Sequence, residues 1–269
     1  MSSEEKQLRG STHPKSGGDH ANPSTPRPDR EGATMHALTR TARLAGLFYL
    51  GNAITGVLGF LIVRPQIFAA DDPNATLANL VAHESLARAG VALELGMVVT
   101  QTLAAVWFYR LFRTVDRSAA SGIAAFGLVN TIVGLVSAAL LATAVEVSVD
   151  PVGDAAANVQ VLYLVSDSLW GVGALFFGLW LIPMGWCVLR SGWMPRVLGW
   201  ILVGGGVGYV LSAFIRYLAP DAQIVAEALA YPASVGEFWM IGYLLIRGVR
   251  RQALDEAPPT VHPPTPVAS

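Results

Sequence analysis

Six long stretches of apolar residues follow one another along the chain, separated by short segments that contain most of the charged and turn-forming residues. A helix needs about 20 mainly apolar residues to cross a hydrocarbon core of about 30 Å. Membrane β-strands would instead show apolar and polar residues in alternation over segments of about 10 residues. The pattern therefore predicts an all-α integral membrane bundle of six transmembrane helices. The predicted spans cover residues 44–63, 89–112, 119–145, 161–189, 197–215 and 228–246.

The segment between the first two spans has a different pattern. Asp72 and Pro73 form a favourable N-cap and first-turn pair, and Leu77, Leu80 and Val81 then follow at helical spacing. The spacing predicts a short interfacial helix at the outer membrane surface. A cap packed over the end of the bundle is the alternative.

Both ends of the chain differ from the 39–251 transmembrane domain in composition. Residues 1–38 are rich in Ser, Pro, Gly and charged residues, and residues 252–269 are rich in Pro. Such segments bury too little apolar surface to offset the entropy lost on ordering, so we predict two disordered cytoplasmic tails.

Composition and charge exclude several classes of function. The chain is 53% hydrophobic and only 14% charged, whereas soluble domains are about 25% charged. A net charge of −1 provides no basic field for nucleic acid. Cys187 is the single cysteine, which excludes an intrachain disulfide and a CxxC site. With His83 the only histidine near the membrane core, we predict no metal or cofactor site.

Arginine placement predicts the orientation. With the N-terminus inside, ten arginines flank the spans on the cytoplasmic side and three on the other, as the positive-inside rule requires. The sequence therefore predicts a protein of the cytoplasmic (inner) membrane with both termini in the cytoplasm. The ten are Arg40, Arg43, Arg110, Arg113, Arg117, Arg190, Arg196, Arg247, Arg250 and Arg251, and the three are Arg64, Arg88 and Arg216.

Three carboxylic acids interrupt the apolar spans: Glu94, Asp167 and Glu237. A charge at the bilayer centre costs at least about 2.5–3.5 kcal/mol, so such groups usually face the bundle interior. All three spans enter from the outside, and Gln101 lies further along the second. We therefore predict one inward-facing polar cavity formed by the three acids and Gln101, with Glu237 deepest.

Three functions are compatible with such a cavity. The preferred interpretation is a non-enzymatic bundle that binds or assembles with a membrane component, with the lipid bilayer and a small solute or lipid ligand as partners. The alternatives are a small proton- or cation-coupled secondary transporter and an intramembrane lipid-modifying enzyme. The enzyme has the least support, because the sequence shows no nucleophile paired with a base. For the first function the acids need only form hydrogen bonds inside the bundle.

Gly204 and Gly208 lie four residues apart in the fifth span. This spacing predicts that the span packs closely against a neighbouring helix.

Several motifs resemble one bacterial family of multi-pass membrane proteins, domain of unknown function 4386 (DUF4386), over most of residues 40–250. They are Ala42–Tyr49 (ARLAGLFY), Leu111–Arg113 with Asp116 and Arg117, Phe176–Leu179 (FFGL), Leu189–Gly199 (LRSGWMPRVLG), Gly206–Tyr209, Gly236 and Glu237, and Leu244–Gly248. The resemblance implies that the acids at positions 94 and 237 are family features. Trp180 stands where the family often has a histidine, and Gln101 where it often has a second acid, which implies an altered polar site in this chain.

The orientation predicts the outcome of a reporter-fusion experiment. A reporter at the C-terminus or in the 113–118 loop should report the cytoplasm, whereas a reporter at residue 153 should report the outside. Activity of paired phosphatase and fluorescent-protein fusions would measure both. A cytoplasmic signal at residue 153 would contradict the six-span arrangement.

Overall fold

The computed structural model describes residues 28–249 and is helical almost throughout that range. Within it, six helical segments are long and apolar enough to cross a membrane, which confirms the predicted fold class. The elements are α1 (Pro28–Val57), a π-helical turn (Leu58–Val63), α2 (Arg64–Ile67), α3 (Pro73–Ala82), α4 (Glu84–Phe112), α5 (Arg117–Val149), α6 (Ala155–Ser191), α7 (Arg196–Leu218), a 3-10 turn (Pro220–Ala222) and α8 (Gln223–Ile246). The first span runs without interruption from α1 through α2, as His36–Ile67.

The predicted tails lie largely outside the described residues. The whole of the predicted C-terminal tail and residues 1–27 of the N-terminal tail fall there. Helix α1 begins at Pro28, so the boundary predicted at residue 38 falls inside a helix.

Each span packs against the next one along the chain, and α8 returns to α1. We call the end of the bundle that carries Thr39 and Gly248 the terminal face, and the opposite end the distal face. A large apolar core that includes Phe108, Trp180 and Met240 fills the half of the bundle toward the terminal face. A smaller core around Ile67 and Tyr163 lies under the distal face.

Asp116 fixes a loop at the terminal face. Its Oδ1 accepts a hydrogen bond from the Ala119 backbone N–H at 3.0 Å, which caps α5. Its Oδ2 accepts from the Trp186 indole at 3.2 Å and from the Arg190 guanidinium at 2.9 Å. These interactions, led by the Ala119 hydrogen bond, lower the pKa of the Asp116 carboxyl. The α4–α5 turn is therefore tied to the end of α6.

Helix α3 is a cap over the distal ends of α5 and α6. Its N-cap Asp72 accepts a hydrogen bond from Ala75 N–H at 2.9 Å, as the sequence predicts. Thr76 and Leu80 are buried against the bundle, whereas Val81 is 59% exposed. Only part of the apolar face predicted for this helix is thus buried. The contacts of α3 fit the alternative in which it caps the bundle.

A π-helical turn precedes Pro65 in the first span. Proline has no N–H to donate and its ring crowds the carbonyl four residues earlier. The hydrogen-bond ladder widens just before it, and the Arg64 N–H reaches the Gly59 carbonyl instead. Wide turns of this type commonly occur at functional sites. Here the turn is followed by Arg64, whose side chain reaches Ser166 on α6.

Close backbone contacts fix α7 against its two neighbours. A Cβ on Gly205 would lie 2.5 Å from the Ala233 Cα of α8, and one on Gly208 would overlap the Leu229 carbonyl. On the α6 side, a Cβ on Gly206 would lie 2.8 Å from the Gly178 carbonyl oxygen. Gly204 is exposed, and a Cβ added there would have no heavy atom of a neighbouring element within 4 Å. The Gly204-xxx-Gly208 prediction is therefore wrong for its first glycine, because the contact with α8 uses Gly205 and Gly208.

Two adjacent glycines supply a matched test of this packing. Gly205→Ala should destabilise the protein by about 1–3 kcal/mol, because the methyl group overlaps the α8 backbone. Gly204→Ala should leave the stability unchanged or slightly higher, because alanine is the better helix former and its methyl meets open space. Thermal unfolding of both variants in one detergent measures the difference, and equal effects would contradict the described contact.

Candidate functional site

Glu237 and Tyr49 meet between α8 and α1. The Tyr49 hydroxyl donates a hydrogen bond to Glu237 Oε1. Glu237 lies nine residues before the end of α8, or about 14 Å along the axis at 1.5 Å per residue. A carboxyl group near the middle of a membrane-spanning helix is expensive to bury, so such groups usually have a partner and a functional role.

A cavity of about 330 Å³ opens beside this carboxyl. Its wall comes from α1, the π-helical turn, α4, α6, α7 and α8 and combines polar groups around Glu237 with apolar and aromatic side chains. Within residues 28–249 this wall contains one carboxyl, that of Glu237, and no lysine, arginine or histidine. The polar lining residues are Tyr49, Asn52, Tyr209, Ser234 and Glu237, and the aromatic ones besides the tyrosines are Phe60, Trp170, Phe177 and Phe238.

Four aromatic rings form a continuous row along the cavity. The ring centroids of Phe60 and Trp170 are 4.9 Å apart, those of Trp170 and Phe177 6.3 Å, and those of Phe177 and Tyr209 6.2 Å. We call this set the aromatic row. It joins the first span, α6 and α7 and leads from the π-helical turn toward the helix that carries Glu237.

The cavity faces outward between α1 and α8. Toward the terminal face these helices touch, since a Cβ on Gly46 would lie 2.9 Å from the Leu244 Cβ. Toward the distal face α8 packs against α7 through the glycine contacts above. Val57 and Phe238, which line the cavity on its two sides, are 41% and 57% exposed. In a bilayer this opening would face the lipid chains.

Gln101 lines a small pocket adjoining the cavity. The pocket measures about 10 Å³, and Asn52, Trp170 and Phe177 line both spaces. Asn130, 3% exposed, also lines it, and its side-chain amide has no hydrogen-bond partner in the described part of the chain. Gln101 and Glu237 therefore line two adjoining spaces that have Asn52 in common.

Glu94 lies in a different polar cluster, closer to the distal face. Arg64 donates to Ser166 at 2.7 Å, and the hydroxyls of Ser166 and Ser137 are 2.8 Å apart. The indole of Trp170 donates to Ser137 at 2.9 Å. Glu94 is 5% exposed and lines a pocket of about 20 Å³ together with Arg64. This cluster lies directly behind the aromatic row, because Trp170 belongs to both.

Asp167 is separate from both groups. Its side chain is 50% exposed and lies 4.0 Å from the Arg216 guanidinium of α7. The single cavity predicted for three acids is therefore not found: Glu237 lines the large cavity, Glu94 lines a smaller pocket and Asp167 faces outward. Helix α6 is apolar on nearly all sides, so its residue pattern does not indicate which face Asp167 occupies.

Several lining residues were missed by sequence reasoning. Tyr49 and Asn52 are three residues apart on α1, as are Ser234 and Glu237 on α8, and this spacing places each pair on one helix face. A search for polar pairs at this spacing inside apolar spans would have found both. The sequence places Arg64 only among the three arginines that flank the spans on the outer side, because it does not reveal the π-helical turn.

Comparisons with known proteins confirm the family resemblance. The chain belongs to the family described as Domain of unknown function (DUF4386), which it matches over residues 44–248. It is also 26% identical over 102 residues to an uncharacterized protein of Archaeoglobus fulgidus, an alignment that covers 36% of this chain and 60% of that protein. No solved structure matches the chain.

Proposed function

We propose that the protein is a non-enzymatic membrane binding protein that accepts a small amphipathic molecule from the bilayer into the cavity between α1 and α8. The observation that carries this proposal is a cavity of about 330 Å³ with a carboxyl and an aromatic wall, bordered by exposed residues of both α1 and α8. Small-molecule sites are typically apolar cavities of about 300–1,000 Å³ with a few convergent polar groups.

The polar end of the cavity supplies the selectivity for such a ligand. Lipid chains are as apolar as the cavity wall, so an apolar molecule gains little hydrophobic free energy by leaving the bilayer for the protein. Hydrogen-bonding groups have no equivalent partner among the lipid chains. Glu237, Asn52 and Ser234 therefore favour ligands with a polar head and an apolar body.

Filling the cavity should abolish this binding. Gly56 lines the cavity, and a Cβ built there would make only an ordinary contact, 3.7 Å from the Met97 sulfur. Gly56→Leu should therefore fold normally and place its side chain in the ligand space. We expect it to weaken binding of 4-phenylbutanol or 4-phenylbutylamine by at least about tenfold, or about 1.4 kcal/mol.

The measurement is equilibrium dialysis of radiolabelled compound against protein in lipid nanodiscs, with empty nanodiscs to correct for partition into lipid. Gly204→Leu is the matched control, because it adds the same side chain to an exposed position of α7. Binding that survives in Gly56→Leu, or that is lost equally in Gly204→Leu, would refute the cavity as the binding site.

The intramembrane carboxyl of Glu237 also favours the proton- or cation-coupled transporter. Transport requires the ligand to leave by the terminal face, where the core around Phe108 and Met240 closes the bundle. Uptake of a bound compound into proteoliposomes under an imposed pH gradient separates the two functions. A carrier gives uptake that follows the gradient, whereas a binding protein gives saturable binding without uptake.

A further inference from the structure

We propose that the ligand of the α1–α8 cavity is an organic cation, an amine or quaternary ammonium with apolar or aromatic substituents, and that Glu237 is its counter-charge. This inference rests on the proposed function and adds the chemical class of the ligand. It follows from three features of the wall: its charge, its aromatic row and the hydrogen bonding of Glu237.

The first feature is the charge of the wall. Within the described residues Glu237 is the one carboxyl there, and no basic side chain lines the cavity. Arg64 lies beyond the end of the aromatic row, where it donates to Ser166 and its guanidinium carbon is 5.3 Å from the centre of the Phe60 ring. An anionic ligand would approach Glu237 without a compensating positive charge, whereas a cation would neutralise it.

The second feature is the aromatic row. The face of an aromatic ring carries negative electrostatic potential, and a cation within about 6 Å of the ring centre is attracted by about 0.5–2 kcal/mol, more strongly when it is desolvated. Four rings in contact with one another, from Phe60 to Tyr209, line one cavity with Glu237. Aromatic surfaces of this kind recognise alkylated ammonium groups, which cannot donate enough hydrogen bonds to be held by polar residues.

The third feature is the state of the Glu237 carboxyl. Tyr49 donates to one oxygen, and no other protein donor reaches this group within residues 28–249. One donor leaves most of the acceptor capacity of a carboxylate unused. A bound cation would supply the missing interaction with the ionised form.

A permanently charged probe and its neutral isostere test the charge preference. Benzyltrimethylammonium and neopentylbenzene have the same shape and differ in the central atom, nitrogen or carbon. We expect the cation to bind the wild-type protein at least about tenfold more tightly in the nanodisc dialysis experiment. Glu237→Gln should remove that preference and retain binding of the neutral compound.

Glu94→Gln is the matched control. Glu94 is also a buried glutamate of a membrane-spanning helix, but it lines the smaller pocket that contains Arg64 and shares only Phe60 with the cavity. This variant should keep the full preference for the cation. Loss of the preference in Glu94→Gln, or its survival in Glu237→Gln, would overturn the assignment of the counter-charge.

The wild-type protein provides an independent measurement should Glu237→Gln not fold. The charge of the probe does not change with pH, so a loss of cation binding on acidification reports a group of the protein. The titratable groups that face Glu237 in the cavity are Tyr49 from α1 and Tyr209 from α7, while α4 and α6 contribute Met97, Trp170 and Phe177. Phenols are neutral at and below pH 7, so the weakening would follow protonation of Glu237. Cation binding that is unchanged down to pH 4 would contradict the proposal.

The outcomes also distinguish this inference from the proposed function. If the neutral compound binds in a manner that depends on Gly56 and the cation has no advantage, the cavity is a ligand site and the cation assignment fails. If neither compound binds the wild-type protein above empty nanodiscs, both fail.

Discussion

The backbone contact between α7 and α8 determines where the cavity lies. Gly205 and Gly208 allow the part of α8 toward the distal face to approach α7 more closely than any larger residue would permit. Helix α1 approaches α8 closely at Gly46 and Leu244, toward the terminal face. Beyond that contact both helices line the cavity, with Glu237 of α8 bonded to Tyr49 of α1 at its edge.

The cost of placing a carboxyl group in a membrane explains the surroundings of the three acids. The three acids reduce this cost in three ways. Glu237 accepts a hydrogen bond from Tyr49 and borders a cavity. Glu94 shares a small pocket with Arg64, whose guanidinium is held by Ser166. Asp167 reaches the exterior of the bundle beside Arg216. The cost of burying a carboxyl is thus reduced in a different way for each acid, and only the surroundings of Glu237 leave room for a ligand.

Much of the architecture was predictable because it depends on chain length and hydropathy alone. The six spans and the Asp72 cap of α3 follow from such local patterns, and the structure contains both. The candidate site depends on which way each helix faces, and this is where prediction failed. The prediction places Asp167 in the interior, but the structure places it on the exterior. Helix α6 is apolar on nearly all sides, so its sequence gives no sign of which face is buried. The four-residue spacing of Gly204 and Gly208 predicts a contact through Gly204, whereas Gly205, one position along, makes the contact with α8. The π-helical turn before Pro65 changes the direction of the Arg64 side chain relative to a regular helix. The residue pattern does not predict this change.

The most direct measurement of the central claim is an experimental structure of the protein in lipid nanodiscs, determined with a saturating hydrophobic ammonium ion such as benzyltrimethylammonium. We predict density for the ligand between α1 and α8, with the ammonium group beside the Glu237 carboxyl and the aromatic row along its apolar part. Density for the ligand at another site, or closure of the space between α1 and α8 by protein side chains with Glu237 bonded only to protein groups, would contradict the claim.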